Sequence, residues 1–393
     1  MEHLDRRAET GMIDAPNGRR ARVTAVDLFC GAGGFTAGLQ RAGILMVGAL
    51  DNWDPALNTY RANFDHPVVK ADAARLTAAE FCEAIGVQPG EIDIVVGGPP
   101  CQGFSIQRIG PDSDDRNDLV LRFAEFVRDI RPRMFVMENV PGILGVRGRP
   151  FADRFVFFLR REGYDVRVVR VNAAEYGVPQ ARKRVFFYGW RAGVVPPFTF
   201  PPPILGPGEQ RTVWQAIGDL PSPPEDYTPL PGDPLHRRTR LSEQNLARLR
   251  LIPPGGGFED LPVDLRVEAH KNGAARIGHR AVYGRLHPDK PAGTITARFD
   301  SFTRGRFAHP FEDRNITLRE GARLQTFDDT FRFLGTQEEI AALIGNAVPP
   351  LLAEVIGRAL VGHLSSPGSD DALLFPPDGR FREQLDIFHS ATP

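Results

Sequence analysis

Cysteine is scarce: Cys30, Cys82 and Cys101 are the only three in 393 residues. That count excludes a disulfide framework and points to a reducing compartment, where a free thiolate survives to do chemistry. No apolar run is read as approaching the ~18 residues of a membrane helix. The N-terminal MEHLDRRAETGMIDAPNGRR lacks the apolar core of a secretory signal. A cytoplasmic protein without membrane contact is therefore expected. No Cys or His partners at zinc spacing surround Cys101, and there is no His-x-Glu, so no metal is expected. Net charge is −1, which by itself points to no polyanionic partner.

The distribution of charge says more. Between Leu235 and Ala308 fourteen Lys and Arg face seven Asp and Glu, so this window is +7 and the remainder −8. A basic module of this kind is the footprint of a nucleic-acid face, or equally a solvated Arg-rich surface. From Arg22 to about Trp190, strand-like runs (VTAVDLF, MVGAL, IDIVVGG, RMFVMENV, DVRVVRV, RVFFYGW) alternate with helical patterns such as FTAGLQRAG and NDLVLRFAEFVRDI. Alternation predicts an α/β fold: an open, mostly parallel sheet with helices on both faces. Six prolines within 196–207 then mark a domain boundary. An irregular stretch follows to about 310, and helices resume at TLREGARLQTF and PPLLAEVIGRALVGHL.

AVDLFCGAGGFTAGL reads as strand, Gly-rich turn and helix, with Gly31, Gly33 and Gly34 allowing close approach of a ligand to a helix N-terminus. It has neither a phosphate-gripping Gly-Lys-Ser/Thr nor dinucleotide spacing, and alone such a turn is as often a tight connection. Asp51, closing MVGALD, puts a carboxylate where a nucleoside ribose is held. Asp72, after a third short strand, suits an adenine amino group or, equally, a helix N-cap.

VVGGPPCQGFS sets Cys101 just past the carboxyl end of a central strand, where open α/β sheets bind ligands. Free cysteine is commonly a small buried hydrophobe. Against that, two prolines stiffen this loop and Gly103 admits something close to the backbone. Glu138 in MFVMENVPGI ends another apolar strand. It is a proton donor if its surroundings raise its pKa, or else a satisfied core polar group. In QARKRVFFYG, Gln180, Arg182 and Arg184 share one strand face, opposite Ala181 and Lys183. Such a face grips a base carbonyl and a phosphate, or belongs to a solvated edge strand.

In order, DLFCGAGGFTAGL, the acid at Asp51, AD at 71–72, GGPPCQGFS, RNDLVLRF, MENV, QARKRVFFYG, RNITLREGARLQTFDD and IGNAVPP resemble the DNA (cytosine-5)-methyltransferases, from Val23 to about Leu364. The resemblance implies a Rossmann-like S-adenosylmethionine-dependent methyltransferase sheet and a smaller irregular target-recognition domain. The implied activity is sequence-specific methylation at C5 of a cytosine flipped out of double-stranded DNA. Cys101 would attack C6, Glu138 would serve N3 and the amino group, and Arg184 would bind O2. Arg182 would support the carboxylate or a phosphate. Phe29, Gly31 and Gly33 would line S-adenosylmethionine, Asp51 its ribose and Asp72 its adenine, with Asn52 and Ala73 in the same set. Pro100 and Leu119 would add apolar contacts, and Asn346 and Val348 would arrive from the C-terminus. Gly103, Ser105 and Gln180 are the implied DNA contacts.

For Asn346 and Val348 to reach the cofactor, the last helix must fold back beside the first strand. The catalytic domain is then split into 21–195 and 311–365, with 196–310 inserted for target recognition, 1–20 disordered and 366–393 a tail. The family usually has proline where Asp328 stands and glutamate where Asp51 stands; neither change touches a catalytic position. The tRNA-methylating branch carries a Cys-Phe-Thr signature that is absent here, and non-catalytic relatives usually lose motifs that are all present. Amino-group methyltransferases use an Asp/Asn/Ser-Pro-Pro-Tyr/Phe site rather than Pro-Cys. A compact prokaryotic or phage enzyme acting as a monomer is expected, with a restriction endonuclease for the same site as a candidate partner.

Overall fold

The computed structural model describes residues 12–14, 20–100, 118–267 and 282–365. Seven strands form the central sheet: β3 (Thr24–Leu28), β4 (Leu45–Asp51), β5 (Val68–Lys70), β6 (Ile94–Gly97), β7 (Met134–Asn139), β8 (Tyr164–Asn172) and β9 (Lys183–Arg191). Their order is β5-β4-β3-β6-β7-β9-β8, parallel except where β9 runs antiparallel to β7 and β8. The chain winds from β3 outward to β4 and β5, then returns to place β6 on the other side. The crevice past the carboxyl ends of β3, β4 and β6 is thus the topological switch point, where such sheets take ligands.

Both faces of the sheet are covered, as the near-continuous apolar strands require. Alternate residues feed two cores. Ala25, Val96, Val136 and Phe186 pack with helices α1 (Gly34–Arg41) and α10 (Pro350–Ser365). Val26, Val95, Phe135 and Phe187 pack with α3 (Ala78–Ile85), α4 (Leu119–Ile130) and α5 (Arg149–Arg161). Helix α2 (Asp54–Arg61) precedes β5. A third core joins Val213, Ile217, Ile295 and Phe299 to α8 (Leu318–Leu324) and α9 (Gln337–Asn346). The stretch 196–310 holds two short helices, α6 (Val213–Ile217) and, within the basic window, α7 (Glu243–Arg250). Helix α10 packs beside β3 and α1. A side chain at Gly34 would run into the Val348 carbonyl, and one at Gly38 into that of Pro350, so α1 and α10 meet backbone to backbone.

Three expectations need correction. Within the N-terminus expected to be disordered, β1 (Met12–Asp14) pairs with β2 (Arg20–Arg22) in an antiparallel ribbon. Gln337–Ser365 is long and apolar enough to cross a membrane, with an 18-residue window of mean hydropathy 1.6, but 78% of that window is buried in the core. Helicity breaks at 347–349, so the run is two packed helices. The proline-rich segment does not leave the sheet at once: Phe198 and Phe200 are buried against Tyr188, and Tyr176 donates to the Pro201 carbonyl. The 366–393 tail lies outside the described residues.

Candidate active site

The turn after β3 is shaped by backbone conformation. Phe29, Gly31 and Gly33 all have positive φ, at 60°, 54° and 89°. For Phe29 this is a costly conformation, of the kind that persists where surrounding structure enforces it. A side chain at Gly33 would strike the rings of Phe64 and Tyr60, whereas one at Gly31 would meet open space. The turn therefore has one packed side, at Gly33, and one open side, at Gly31.

Asp51 closes β4 beside it. Its Oδ2 accepts the Gly31 N–H at 2.8 Å, and its Oδ1 accepts those of Asn52 at 2.8 Å and Trp53 at 2.9 Å. Burial pushes this carboxyl up, and the three N–H donors pull it back. A carboxylate offers about four acceptor positions, so capacity for a further hydroxyl remains. Asn52 is exposed and Trp53 half-buried. Trp53, an aromatic face two residues beyond the acid, is a binding candidate that the motif reading passed over.

Asp72 begins a turn instead of capping a helix: its Oδ1 accepts the Ala74 N–H at 3.0 Å, while Thr77 caps α3. Arg122 of α4 donates to the carbonyls of Ala73 and Leu76, which ties this turn to the helix that Leu119 opens. From the other side come Asn346, exposed at the end of α9, and buried Val348. The cofactor residues named from sequence thus sit on the loops at the ends of β3, β4, β5 and β6 and on two helix termini.

At the end of β6, a side chain on Gly98 would lie 3.4 Å from Glu138 Oε2. Asn139, the residue after Glu138, donates its amide to the Pro99 carbonyl at 3.3 Å. The Pro99–Pro100 turn is therefore tied to β7 immediately before Cys101. Glu138 and Arg184 are each 12% exposed and pair at 2.6 Å, Nε to Oε1. Cys101, Gly103 and Ser105 lie outside the described residues. The other two cysteines, Cys30 and Cys82, are buried, and burial pushes both thiols up. Among the described residues no cluster could hold a metal ion.

Gln180 requires correction. The alternation is as expected, with 180 and 182 inward and 181 and 183 outward. The inward side, however, meets protein. Gln180 is fully buried: its amide donates to Leu324 O and Gln325 Oε1 and accepts the Ile295 N–H. Its hydrogen-bonding groups are committed internally, so Gln180 faces protein here and not an open DNA surface. Arg182 is 1% exposed and donates to Ile295 O at 3.0 Å, and Arg184 pairs with the Glu138 carboxylate. Part of the basic window is likewise internal. Buried Arg285 donates to the carbonyls of Leu249, Ile252, His309 and Glu312, and Arg248 to Leu265 O.

A family model for C-5 cytosine-specific DNA methylases matches residues 23–362. Type II methyltransferase M.AgeI of Thalassovita gelatinovora is 32% identical, covering 86% of this chain and 99% of its own. Type II methyltransferase M1.HphI of Haemophilus parahaemolyticus is 36% identical, covering 86% and 87%. Among solved structures, one assigned as a DNA modification methyltransferase encoded within an E. coli prophage aligns with a TM-score of 0.66 at 26% identity, over 88% of this chain and 100% of that one.

Proposed function

The chain belongs to the C-5 cytosine-specific DNA methylase family, and from that premise we propose how its own residues carry out sequence-specific methylation of DNA cytosine. C5 of cytosine is a poor nucleophile, and a thiolate adding at C6 gives it carbanion character. Cys101 is the residue for that addition. Glu138 serves ring N3 and the amino group of the base, and Arg184, already paired with it, supplies a donor to O2. Arg182 acts as a positioning residue: anchored on Ile295, it fixes the start of β9 and with it Arg184. After methylation, loss of the C5 proton and expulsion of the thiolate restore the aromatic ring. The base must leave the helical stack to meet these groups.

S-adenosylmethionine fits the crevice and supplies an electrophilic methyl group when bound. The open side of the Gly31 turn and the remaining acceptor capacity of Asp51 support this. Phe29, Gly31 and Gly33 line it, Asp51 takes the ribose, and Asp72 the adenine. Asn52, Trp53, Ala73, Pro100, Leu119, Asn346 and Val348 complete the walls. Residues 196–310 carry target recognition on duplex DNA, with Gly103 and Ser105 reaching the substrate near the nucleophile. The enzyme works as a monomer in a prokaryotic cytoplasm, alongside a restriction endonuclease for the same site, as the Type II names of its relatives suggest.

The observation that carries the reading is the Glu138–Arg184 pair beside the turn that Asn139 ties to Pro99. The test is Cys101→Ala: methyl transfer to DNA is abolished while S-adenosylmethionine binds with nearly unchanged affinity. Normal turnover in that variant rules out the covalent mechanism.

A further inference from the structure

Behind the Gly-rich turn runs a chain of polar groups that the mechanism above does not use. Asp27, in β3, is 1% exposed, and its Oδ2 accepts the Thr36 hydroxyl at 2.8 Å. Thr36 Oγ1 lies 2.9 Å from Tyr60 Oη, which lies 2.6 Å from His66 Nε2. Thr36 is on α1 and Tyr60 on α2, and both are fully buried. His66 is half-buried between exposed Asp65 and Pro67, so the chain leads from the sheet interior to water.

We propose that Asp27 is a positioning residue for the cofactor. Its negative charge lies under the Phe29–Gly33 turn and favours a cationic sulfonium there, and Thr36, Tyr60 and His66 relay its proton to and from solvent. This rests on the S-adenosylmethionine assignment above.

Hydrogen counting fixes the two states of the relay. Each hydroxyl carries one hydrogen. With Asp27 ionised, Thr36 donates to Asp27, Tyr60 donates to Thr36, and His66 donates from Nε2 to Tyr60. When water delivers a proton to His66 Nδ1, Nε2 releases its own to Tyr60 Oη. The Tyr60 proton passes to Thr36 Oγ1, and the Thr36 proton to Asp27 Oδ2. Asp27 is then a neutral acid, His66 is neutral with its proton on Nδ1, and each hydroxyl again holds one hydrogen. No heavy atom moves.

A purely structural Asp–Thr pair needs neither the second hydroxyl nor the imidazole. Burial pushes the Asp27 carboxyl up to about 7, with the Thr36 hydrogen bonds opposing and the Asp51 charge adding, so both states are accessible near neutral pH. The ionisable groups around it are Asp51 on β4, Cys30 in the turn, Tyr60 on α2 and, beyond Tyr60, His66 with Asp65. Neighbouring β6 presents Val96 in register, and α1 presents Thr36.

The test compares S-adenosylmethionine with S-adenosylhomocysteine, which differs in having a neutral sulfur. Affinities of the full-length protein for both are measured by calorimetry from about pH 6 to about pH 8, so that groups sensing the shared parts of the ligands cancel in the ratio. The ratio favouring S-adenosylmethionine is expected to rise with pH, on the order of tenfold for one buried charge at this kind of range. In Asp27→Asn it stays flat. In Tyr60→Phe, which removes the donor supporting Thr36, the rise moves to higher pH. A flat ratio in the unaltered protein, or a rise that survives Asp27→Asn, overturns the proposal. If Asp27→Asn does not fold, the unaltered and Tyr60→Phe profiles decide. Failure of both nucleosides to bind at every pH refutes instead the cofactor assignment on which the proposal stands.

Discussion

Arg184 Nε lies 2.6 Å from Glu138 Oε1 where β7 and β9 reach the crevice, and the two side chains are equally sheltered. The pairing places a carboxyl and a guanidinium within one base-width of each other, and that makes both testable together. Glu138→Gln preserves shape while removing the acid, so methyl transfer should fall by ~10²–10⁴, the usual worth of a general acid. Arg184→Lys, which loses the planar fork, should fall less. Single-turnover methyl transfer measures both, and an unchanged rate in Glu138→Gln contradicts the assignment.

Gln180→Ala should act on stability. Its amide joins the Ile295 N–H to Leu324 O and Gln325 Oε1, and Gln325 continues to Ile344 O at 2.6 Å. Leaving buried groups unpaired costs about 1–3 kcal/mol each. Denaturant unfolding should register a loss of ~2–4 kcal/mol on that basis. Full stability with weakened DNA binding is the contrary result.

Gly38→Ala tests the return of the C-terminus. The added methyl would collide with the Pro350 carbonyl and with Ala353 and Glu354. Overpacking of this kind costs about 1–3 kcal/mol. A lowered Tm is expected; an unchanged Tm means that α1 and α10 are not in close contact.

Acid should weaken the packing around His309 in a defined window. Burial pushes His309 down to about 4, from an ordinary 6.5. The unfolded chain therefore binds more protons between those values, and stability falls as pH drops through them. Glu312 adds a second, lower phase: burial alone would raise it, but hydrogen bonds from Arg314 and Ser222 hold it at about 2. Its contribution is present above its ordinary 4.5 and lost as pH falls towards 2. His309→Asn, which cannot titrate, should flatten the Tm profile between about 6.5 and about 4; an unaltered slope there assigns the acid sensitivity elsewhere.

Much of the sheet was legible because β4, β6 and β7 are apolar runs ending in Asp51, Gly97 and Asn139, and because helical patterns lie between the parallel strands. The crevice residues Gly31, Asp51 and Glu138 were legible for the same reason, since each marks a strand end. Gln180 and Arg182 were not. Period-2 alternation shows that they share a face with Arg184, but not that this face meets 292–295 and 324–325 from over a hundred residues away. Helix α9 escaped notice because its apolar residues run into those of α10 across Ala347–Pro349. Asn139 was read as part of a motif, yet its contact with the Pro99 carbonyl arises only when β6 and β7 pair. Asp328, a departure from the family pattern, takes up Arg41 at 2.5 Å on the outer end of α1, a pairing no local pattern announces.

The measurement that bears most directly on the central claim is base-resolution mapping of 5-methylcytosine in the genome of a methylation-free bacterial host expressing this chain. Methylation should be confined to one short sequence motif and be lost on Cys101→Ala. An unmodified genome in cells containing the soluble, folded protein contradicts that claim.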